Sequence, residues 1–502
     1  MDLFNNLALG FATASTFTNI LFCLIGVLLG TLIGVLPGIG ATATIAMLLP
    51  ITFQIGDPVS SLIMLAGIYY GAQYGGSTTA ILINMPGESS SAVTAIDGYQ
   101  MARKGRAGVA LATAAIGSFV AGTIATVLIA LFAPPLTTIA LKFGAAEYTS
   151  LMIVGLVMAV ALAHGSVIKA IAMVVFGLIL GLVGQDVISG SPRLNFGIMG
   201  FGDQLNFVAI AVGLFGVAEI LRNLEEERTR EVLMTKVTGL MPTRDDFRRM
   251  LAPILRGTAL GSALGILPGN GAVLAAFASY TIEKRVSDKP EEFGHGALAG
   301  VAGPESANNA GAQTSFIPML TLGIPANPVM ALMIGAMIIQ GIVPGPNVAA
   351  DNPDLFWGLI ASMWIGNLLL IVLNLPLIGL WVKLLKVPYF VLFPTIMAFC
   401  SIGVYSVNSN MYDLYLVAIF GLLGYVLLKM RCEPAPLLLG FVLGPLLEEN
   451  LRRAMILGKG DPMTFVTRPL SASLLAVAVA VLVIVLLPSV RKKREEVFTE
   501  ED

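Results

Sequence analysis

Long apolar runs fill most of the chain, and its polar residues cluster in the shorter stretches between them. The runs lie at about residues 20–53, 107–134, 145–163, 166–187, 206–224, 255–281, 329–342, 356–381, 389–405, 412–428, 436–447 and 470–487. Many are close to the length of about 20 residues that an α-helix needs to cross a bilayer. This pattern predicts an all-α polytopic membrane protein with about 12 transmembrane helices.

Two of these runs carry the same interruption. Residues 30–41 read GTLIGVLPGIGA, and residues 261–272 read GSALGILPGNGA. Proline lacks the backbone N–H that a helix needs, and glycine readily adopts non-helical backbone angles. We therefore expect broken or re-entrant helices with breaks at 37–40 and 268–271. Unpaired amides at membrane depth are tolerated only where they are buried in protein or line a watery cavity. Matching breaks in the two halves therefore predict the central binding site of a transporter.

A second motif follows each break and makes the repetition more specific. The triplet Gly-Ala-Gln occurs at 71–73 and again at 311–313, and Pro86 and Pro325 follow at nearly the same distance. We therefore expect two structural repeats, with an inverted relative orientation. The predicted units are membrane repeat 1 (residues 1–224, with a polar re-entrant motif at 71–87), a charged cytoplasmic linker (225–252), membrane repeat 2 (253–488, with a polar motif at 303–328) and a charged cytoplasmic tail (489–502).

The broken helices supply candidate groups for binding an anion. A helix N-terminus inside the membrane directs free amides and partial positive charge at a cavity, which suits a carboxylate. The glycines at 75–76, followed by three hydroxyl residues, predict a further helix N-terminus with capping groups. A packing kink is the simpler explanation of any single Pro-Gly pair. The predicted substrate-binding residues are Pro37, Gly38, Gly40, Gly75, Gly76, Ser77, Thr78, Thr79, Pro268, Gly269, Asn270 and Gly271.

The segment PESANNA, residues 304–310, is the most polar cluster within an apolar neighbourhood. Ionisable groups at membrane depth are costly and are functional candidates by default. A carboxylate beside hydroxyls and amides can hold sodium or carry a proton. The predicted ion-coupling residues are Glu305, Ser306, Asn308, Asn309 and Gln313, with sodium at this Ser/Thr/Asn cluster as the candidate metal. In the alternative interpretation Glu305 caps a helix start in water, and Glu88 after Pro86 has the same two interpretations.

Composition narrows the class of protein. Hydrophobic residues make up 56% of the chain and charged residues 12%, about half the charged share of an ordinary soluble protein. The cysteines at 23, 400 and 432 have neither metal-ligand spacing nor a disulfide pattern. The sequence contains no Walker A motif, nucleophile elbow or HExxH motif, and no nucleic-acid signature. We therefore expect no enzyme, no ATPase and no cofactor other than a coupling ion, Na⁺ or H⁺.

Several long motifs together resemble the TctA family, the large membrane subunit of tripartite tricarboxylate transporters. They are YGGSTTAILINMPGESSSAVTAIDGYQMARKGRAG at 74–108, the two LPGxGA segments, PESANNA, GQDVISGSPRLNFG at 184–197, VGLFGVAEIL at 212–221 and LLEENLRRA at 446–454. The resemblance implies a multi-pass protein of the bacterial inner membrane. Its implied partners are a small four-helix, TctB-like membrane subunit, a periplasmic TctC-like solute-binding protein and membrane lipid.

The resemblance also implies the transport reaction. Family substrates are tricarboxylates such as citrate, and some systems take dicarboxylates or aromatic acids. Import by an ion gradient or the membrane potential is expected, with an elevator movement as the implied mechanism. The alternatives are a stand-alone carrier or channel that needs no binding protein, an intramembrane enzyme using Glu305 and a second carboxylate, and a non-transporting membrane scaffold. The sequence leaves open the carboxylate carried, the choice between sodium and protons, and the oligomeric state.

Overall fold

The computed structural model describes residues 3–36, 40–163, 166–186, 189–195, 205–225, 239–267, 271–384 and 389–487. These residues are almost entirely helical, as the apolar runs predicted. The first half contains α1 (Leu3–Ala14), α2 (Phe17–Gly34), α3 (Ala41–Gln54), α4 (Pro58–Ile83), α5 (Ala92–Met101), α6 (Ala107–Ala140), α7 (Ala145–Leu162), α8 (Val167–Gly181), α9 (Phe207–Ala211) and α10 (Ala218–Glu225). A π-helical segment, Val212–Val217, joins α9 to α10.

The second half continues in the same way. It contains α11 (Arg244–Leu264), α12 (Gly271–Val286), α13 (Ala299–Thr314), α14 (Phe316–Leu322), α15 (Pro328–Ile339), α16 (Val348–Asp351), α17 (Pro353–Asn374), α18 (Ile378–Leu384), α19 (Tyr389–Asn408), α20 (Met411–Lys429), α21 (Pro434–Leu457), α22 (Thr464–Thr467) and α23 (Pro469–Leu486). A short antiparallel hairpin, β1 (Gly184–Gln185) with β2 (Pro192–Arg193), interrupts the helices.

Six helical runs in the described part of the chain are long and apolar enough to cross a membrane. Several shorter apolar helices accompany them, among them α3, α8 and α15. The expected total of about 12 spans, and the repeats, therefore stay predictions. The outer helices expose large apolar side chains: on α20, Leu422 is 60% exposed, and on α23, Val479 is 60% exposed. Large exposed apolar faces of this kind suit contact with lipid.

The two broken-helix regions share one packing device. Helix α2 crosses α4 through Gly26, Gly30 and Gly34, where an added Cβ would overlap the backbone of α4. Helix α11 crosses α13 through Gly257, Gly261 and Gly265 with the same spacing and the same consequence. Small residues at four-residue spacing allow helix backbones to approach closely in membranes. As a result, α4 and α13 lie inside the protein, and nearly all their residues are buried.

Charged residues that are distant in the sequence meet at one polar end of the bundle. The Arg106 guanidinium, just before α6, lies 2.7 Å from the Asp246 carboxylate in the first turn of α11. Burial raises the pKa of Asp246, but hydrogen bonds from Thr243 and Arg106 outweigh it, so the pKa is below its usual value. The segment that precedes α6 and the end of the predicted charged linker therefore lie close together.

Two predicted boundaries differ from the helices observed. Helix α11 begins at Arg244, within the predicted linker at 225–252, because Thr243 and Asp246 cap it reciprocally. Helix α21 runs through to Leu457, beyond the apolar run that ends at 447. Its charged final turns are stabilised by ion pairs such as Arg453 with Glu449, 2.5 Å apart. Residues 226–238 of the linker and 489–502 of the tail lie outside the described residues.

Candidate functional site

Both predicted helix breaks separate two helices in the structure. Helix α2 ends at Gly34 and α3 begins at Ala41, while α11 ends at Leu264 and α12 begins at Gly271. Gly40 precedes α3 in an extended conformation and has no side chain to cap it. The predicted site residues Pro37, Gly38, Pro268, Gly269 and Asn270 lie outside the described residues.

A carboxylate from another part of the chain meets the start of α3. The Glu88 side chain accepts a hydrogen bond from the Ala41 amide, which is the first residue of α3. Glu88 is only partly exposed, so the interpretation of a simple cap in water does not describe it fully. The amides of a helix N-terminus favour a negative charge. This end of α3 therefore binds a carboxylate of the protein itself.

Residues 75–79 do not form the helix N-terminus that the sequence predicted, because they lie in the interior of α4. An added Cβ at Gly75 would overlap the backbone of α2, so this glycine allows close helix packing. The hydroxyls bond within their own helix: Ser77 donates to the Gln73 carbonyl at 3.1 Å, and Thr79 to the Gly76 carbonyl at 2.9 Å. Hydroxyl residues are compatible with a helix interior when they bond the preceding turn.

Glu305 lies in the middle of α13 and is fully buried, which excludes the alternative of a water-exposed helix cap. Hydroxyls from three other helices surround its carboxylate. Ser77 of α4 donates to Oε1 at 2.5 Å, Thr94 of α5 to Oε2 at 2.8 Å, and Ser118 of α6 to Oε1 at 3.4 Å. Asn309, one turn along α13, donates to the Ser118 hydroxyl at 2.7 Å and lies 3.4 Å from Oε1.

No lysine, arginine or histidine in the described ranges forms an ion pair with Glu305. The other buried acids of the structure include Glu283, which pairs with Arg256 at 2.5 Å, and Glu147, which pairs with Arg468 at 2.9 Å. A buried carboxylate without a cationic partner is costly unless it is protonated or holds a cation. Glu305 therefore combines the burial and the donor set of a group that exchanges an ion.

A small cavity adjoins this carboxylate. It is lined by Tyr74, Ser77, Thr78, Leu111, Ala114, Ala115, Ser118, Glu305 and Asn374. Its free volume of about 10 Å³ admits one water-sized group. The lining comes from α4, α6, α13 and α17, so the cavity lies where helices of both halves of the chain meet.

The other predicted ion-coupling residues have different environments. The Ser306 hydroxyl bonds the Ala302 carbonyl of its own helix at 2.7 Å, away from the Glu305 carboxylate. The Gln313 side chain accepts from the Thr126 hydroxyl at 3.5 Å. Asn308 is fully buried, and neither of its side-chain polar atoms has a hydrogen-bond partner among the described residues. The structure thus joins Ser77, Asn309 and Glu305 directly, while Thr78 lines the adjoining cavity.

The sequence did not predict Thr94, Ser118 or Asn374 in this neighbourhood. Thr94 lies in a polar segment that gave a partial signal, whereas Ser118 is a single hydroxyl within the apolar run of α6. Asn374, the last residue of α17, likewise stood alone between apolar residues. One isolated hydroxyl or amide in a membrane helix gives no sequence signal, because it can equally bond its own backbone.

A second buried carboxylate was also missed. Asp97 of α5 is fully buried and accepts three backbone hydrogen bonds at Oδ1, from Gly294 at 2.9 Å, Gly296 at 2.7 Å and Ala297 at 2.9 Å. The Tyr280 hydroxyl donates to Oδ2 at 2.9 Å. These amides immediately precede α13, so Asp97 fixes the start of the helix that carries Glu305.

Comparison with known proteins gives this arrangement a family. Residues 20–439 match the tripartite tricarboxylate transporter TctA family. The chain is 68% identical, over all 502 residues and the full length of both proteins, to an uncharacterised 52.8 kDa protein in the TAR-I ttuC' 3' region of Agrobacterium vitis. It is 66% identical over 242 residues, 48% of this chain and all of the relative, to an uncharacterised protein in the TAR-II ttuC' 3' region of the same organism.

No solved structure matches the chain significantly. The family match and the full-length relative are sufficient to assign the chain. It belongs to the TctA family, which is a family of transporters rather than of enzymes. It is accordingly a membrane component of a tripartite tricarboxylate transporter.

Proposed function

From this membership of the TctA family, we propose that the chain is the large membrane subunit of a secondary transporter that imports organic carboxylates. A periplasmic TctC-like binding protein delivers the substrate, and a small TctB-like subunit completes the membrane complex in the bacterial inner membrane. Citrate-like tricarboxylates are the first candidate substrates. An ion gradient or the membrane potential drives import, and an elevator movement of the helices around the site is the proposed mechanism.

The observation that carries this proposal is the environment of Glu305. A fully buried carboxylate surrounded by hydroxyls from three helices, without a cationic partner in the described ranges, has the chemistry of an ion-coupling group. Its position where helices of both halves meet would let an ion bias their relative arrangement. In this proposal Glu305 and Asn309 take part in ion coupling. The Ser77 hydroxyl contributes to coupling through its bond to Glu305 and also bonds the backbone of its own helix.

The broken helices are the proposed contacts for the substrate carboxylates. The hydrogen bond between the Glu88 carboxylate and the Ala41 amide supports this, because it demonstrates that the start of α3 accepts a carboxylate. Gly40 and Gly271 would contribute backbone amides beside the breaks. The matched glycine packing of α2 on α4 and of α11 on α13 is consistent with the proposed repeats.

Further support for the repeats comes from the way their buried helices end. The residue after α4 is Asn84 (φ 55°) and the residue after α14 is Gly323 (φ 70°), and both have the left-handed conformation. Each residue is followed by one apolar residue and a proline, Pro86 and Pro325. The two regions therefore share a left-handed cap followed by proline, in addition to the same glycine packing. This similarity supports the proposal that they are structural repeats.

The experiment that tests the function is uptake of radiolabelled citrate into proteoliposomes that contain both membrane subunits. Sodium and pH gradients are imposed separately, with and without the purified binding protein. Uptake that requires the binding protein and one of the gradients is the expected result. Uptake without the binding protein would instead support a stand-alone carrier. If citrate, other tricarboxylates, dicarboxylates and aromatic acids all fail under both gradients, the proposed function is wrong.

A substitution at the second break provides a test at the level of one residue. Asn270→Asp places a negative charge where the carboxylates are proposed to bind, so it should reduce citrate uptake at least tenfold. Asn270→Ser, which keeps a neutral polar group, is the matched control and should retain most of the activity. Uptake that Asn270→Asp leaves undiminished would remove Asn270 from the site.

A further inference from the structure

The cavity beside Glu305 contains a buried oxygen that the described protein groups leave without a donor. Asn374 is 4% exposed, and its side-chain nitrogen donates to the Leu370 carbonyl at 2.9 Å. Its side-chain oxygen has no hydrogen-bond partner among the described residues, although the residue lines the cavity. Leaving a buried acceptor unpaired costs roughly 1–3 kcal/mol. Such an oxygen indicates a group that binds in the cavity.

The remaining polar groups around the cavity are also oxygens. The Glu305 carboxylate and the hydroxyls of Ser77 and Ser118 line the cavity together with apolar side chains of α6, and each hydroxyl retains lone pairs. Carboxylate, carbonyl and hydroxyl oxygens are the preferred ligands of hard cations. A single carboxylate supplies one negative charge, which matches a monovalent cation.

The unpaired amide oxygen distinguishes sodium from a proton. A proton on Glu305 would remove the negative charge, but it would leave the Asn374 oxygen without a partner. A cation within the cavity would offset the carboxylate charge and would also give the amide oxygen a partner, since both residues line the cavity. The free volume admits one water-sized group, so the ion would have to enter without most of its hydration shell. The hydroxyl and amide oxygens would replace that shell.

We propose that this cavity is a sodium site, in which the Glu305 carboxylate, the Ser77 and Ser118 hydroxyls and the Asn374 side-chain oxygen bind one dehydrated ion. The proposal deepens the proposed function, since this ion would be the coupling ion. The ligands come from α4 and α6 of the first half and from α13 and α17 of the second. Bound sodium would therefore hold the two halves together.

Sodium binding is measured directly, without substrate or transport. The full chain in lipid nanodiscs is tested for equilibrium binding of ²²Na⁺, and its thermal unfolding is followed in NaCl against KCl and choline chloride at constant ionic strength. We expect one bound sodium ion per chain. The midpoint temperature of unfolding should rise in NaCl but not in KCl or choline chloride, because a ligand that binds the folded state stabilises it. No sodium-specific binding by the folded chain would overturn the proposal and leave a bound water as the partner of Asn374.

Asn374→Leu tests the assignment of the ligand. Without sodium this variant should unfold at the same temperature as the wild type or higher, because it removes an unpaired buried acceptor. Its sodium affinity should fall at least tenfold, so that NaCl protects it less than the wild type. A purely structural role for Asn374 predicts the reverse: lower stability in every salt and unchanged sodium affinity, which would overturn the assignment.

Ser118→Ala serves as the second variant if Asn374→Leu does not fold, and it should also lower the sodium affinity at least tenfold. Thr113→Val is the matched control on α6: it removes a buried hydroxyl of the same helix that does not line the cavity, and should leave affinity unchanged. The two proposals fail separately. If the chain binds sodium but no carboxylate is taken up, only the proposed function is refuted. If a pH gradient drives uptake and the chain binds no sodium, only this sodium site is refuted.

Discussion

Asp97 and Glu305 are both fully buried carboxylates, but they differ in the groups that surround them. Asp97 is held by three backbone amides and one phenol, and the amides can only donate. Glu305 is held mainly by hydroxyls, which can turn to donate to a carboxylate or to direct a lone pair at a cation. The two carboxylates are thus equally buried, but the hydroxyl donors around Glu305 can rotate, whereas the backbone amides around Asp97 cannot.

The comparison separates a fixed charge from an exchangeable one. Among the described residues, Asp97 is the acceptor for the three backbone amides before α13, so this carboxylate is part of the fold. Ser77, by contrast, already has a second acceptor in the Gln73 carbonyl of its own helix. The surroundings of Glu305 can therefore tolerate a change of charge. The type of donor, more than the depth of burial, distinguishes Glu305, which we propose to be functional, from Asp97.

The largest expected effect is a difference in stability between variants of Asp97 and of Glu305. Asp97→Ala leaves three backbone amides without their described acceptor, those of Gly294 and Gly296, which are partly buried, and that of Ala297, which is buried. The expected loss of unfolding free energy is about 3 kcal/mol. Glu305→Ala is the matched control, with a clearly smaller loss, because its hydroxyl neighbours can bond their own helices. Denaturant unfolding of both variants in the same detergent measures the difference. Equal losses would refute the distinction between the sites.

The second prediction concerns transport. Glu305→Gln keeps the size of the side chain but removes its charge, so ion-driven citrate uptake should fall at least tenfold. The hydroxyls can turn to satisfy the amide, and the unfolding free energy should change by less than about 1 kcal/mol. Uptake into proteoliposomes and unfolding are measured on the same preparation. Wild-type uptake by this variant would exclude Glu305 from coupling.

A smaller effect is expected when each site loses one donor. Tyr280→Phe leaves Oδ2 of Asp97 without its described donor and should cost about 1 kcal/mol of stability, with uptake unchanged. Thr94→Val removes one donor from Glu305 and should alter the ion concentration that gives half-maximal uptake, with little change in stability. If the two variants exchanged these phenotypes, the roles assigned to the sites would be reversed.

The smallest effect belongs to a carboxylate at the polar end of the bundle. The pKa of Asp246 is lowered in the folded state, so its contribution is present above the ordinary aspartate pKa of about 3.9 and is lost as the pH falls through the folded value. Its partner Arg106 is 41% exposed, and the ion pair should contribute less than about 1 kcal/mol. Asp246→Asn should therefore be slightly less stable than wild type at pH 7 and equally stable at strongly acidic pH. A difference that persists in acid would point to lost capping of α11 instead.

Some features of the site were predictable because they are local. The Pro-Gly breaks were identified from backbone chemistry, and the helices on either side end and begin as expected. Glu305 was predicted because an ionisable side chain in an apolar membrane segment is energetically costly and is therefore a candidate for function. The same local reasoning misjudged residues 75–79, since glycines followed by hydroxyls are typical of a helix start. In α4 the glycine at 75 instead allows contact with α2, a requirement that lies in another helix.

The sequence by itself determined the membrane class, the two interrupted helices and the presence of an acid at depth, because hydrophobic periodicity and backbone breakers act within a few residues. Only the tertiary structure decided which groups meet that acid. Ser77, Thr94 and Ser118 come from three helices, and Asn374, from a fourth, lines the cavity beside the acid. Their convergence depends on how closely the helix backbones approach, and that distance is set by packing between segments far apart in the chain. A lone hydroxyl acquires its role only when this packing brings it to a partner.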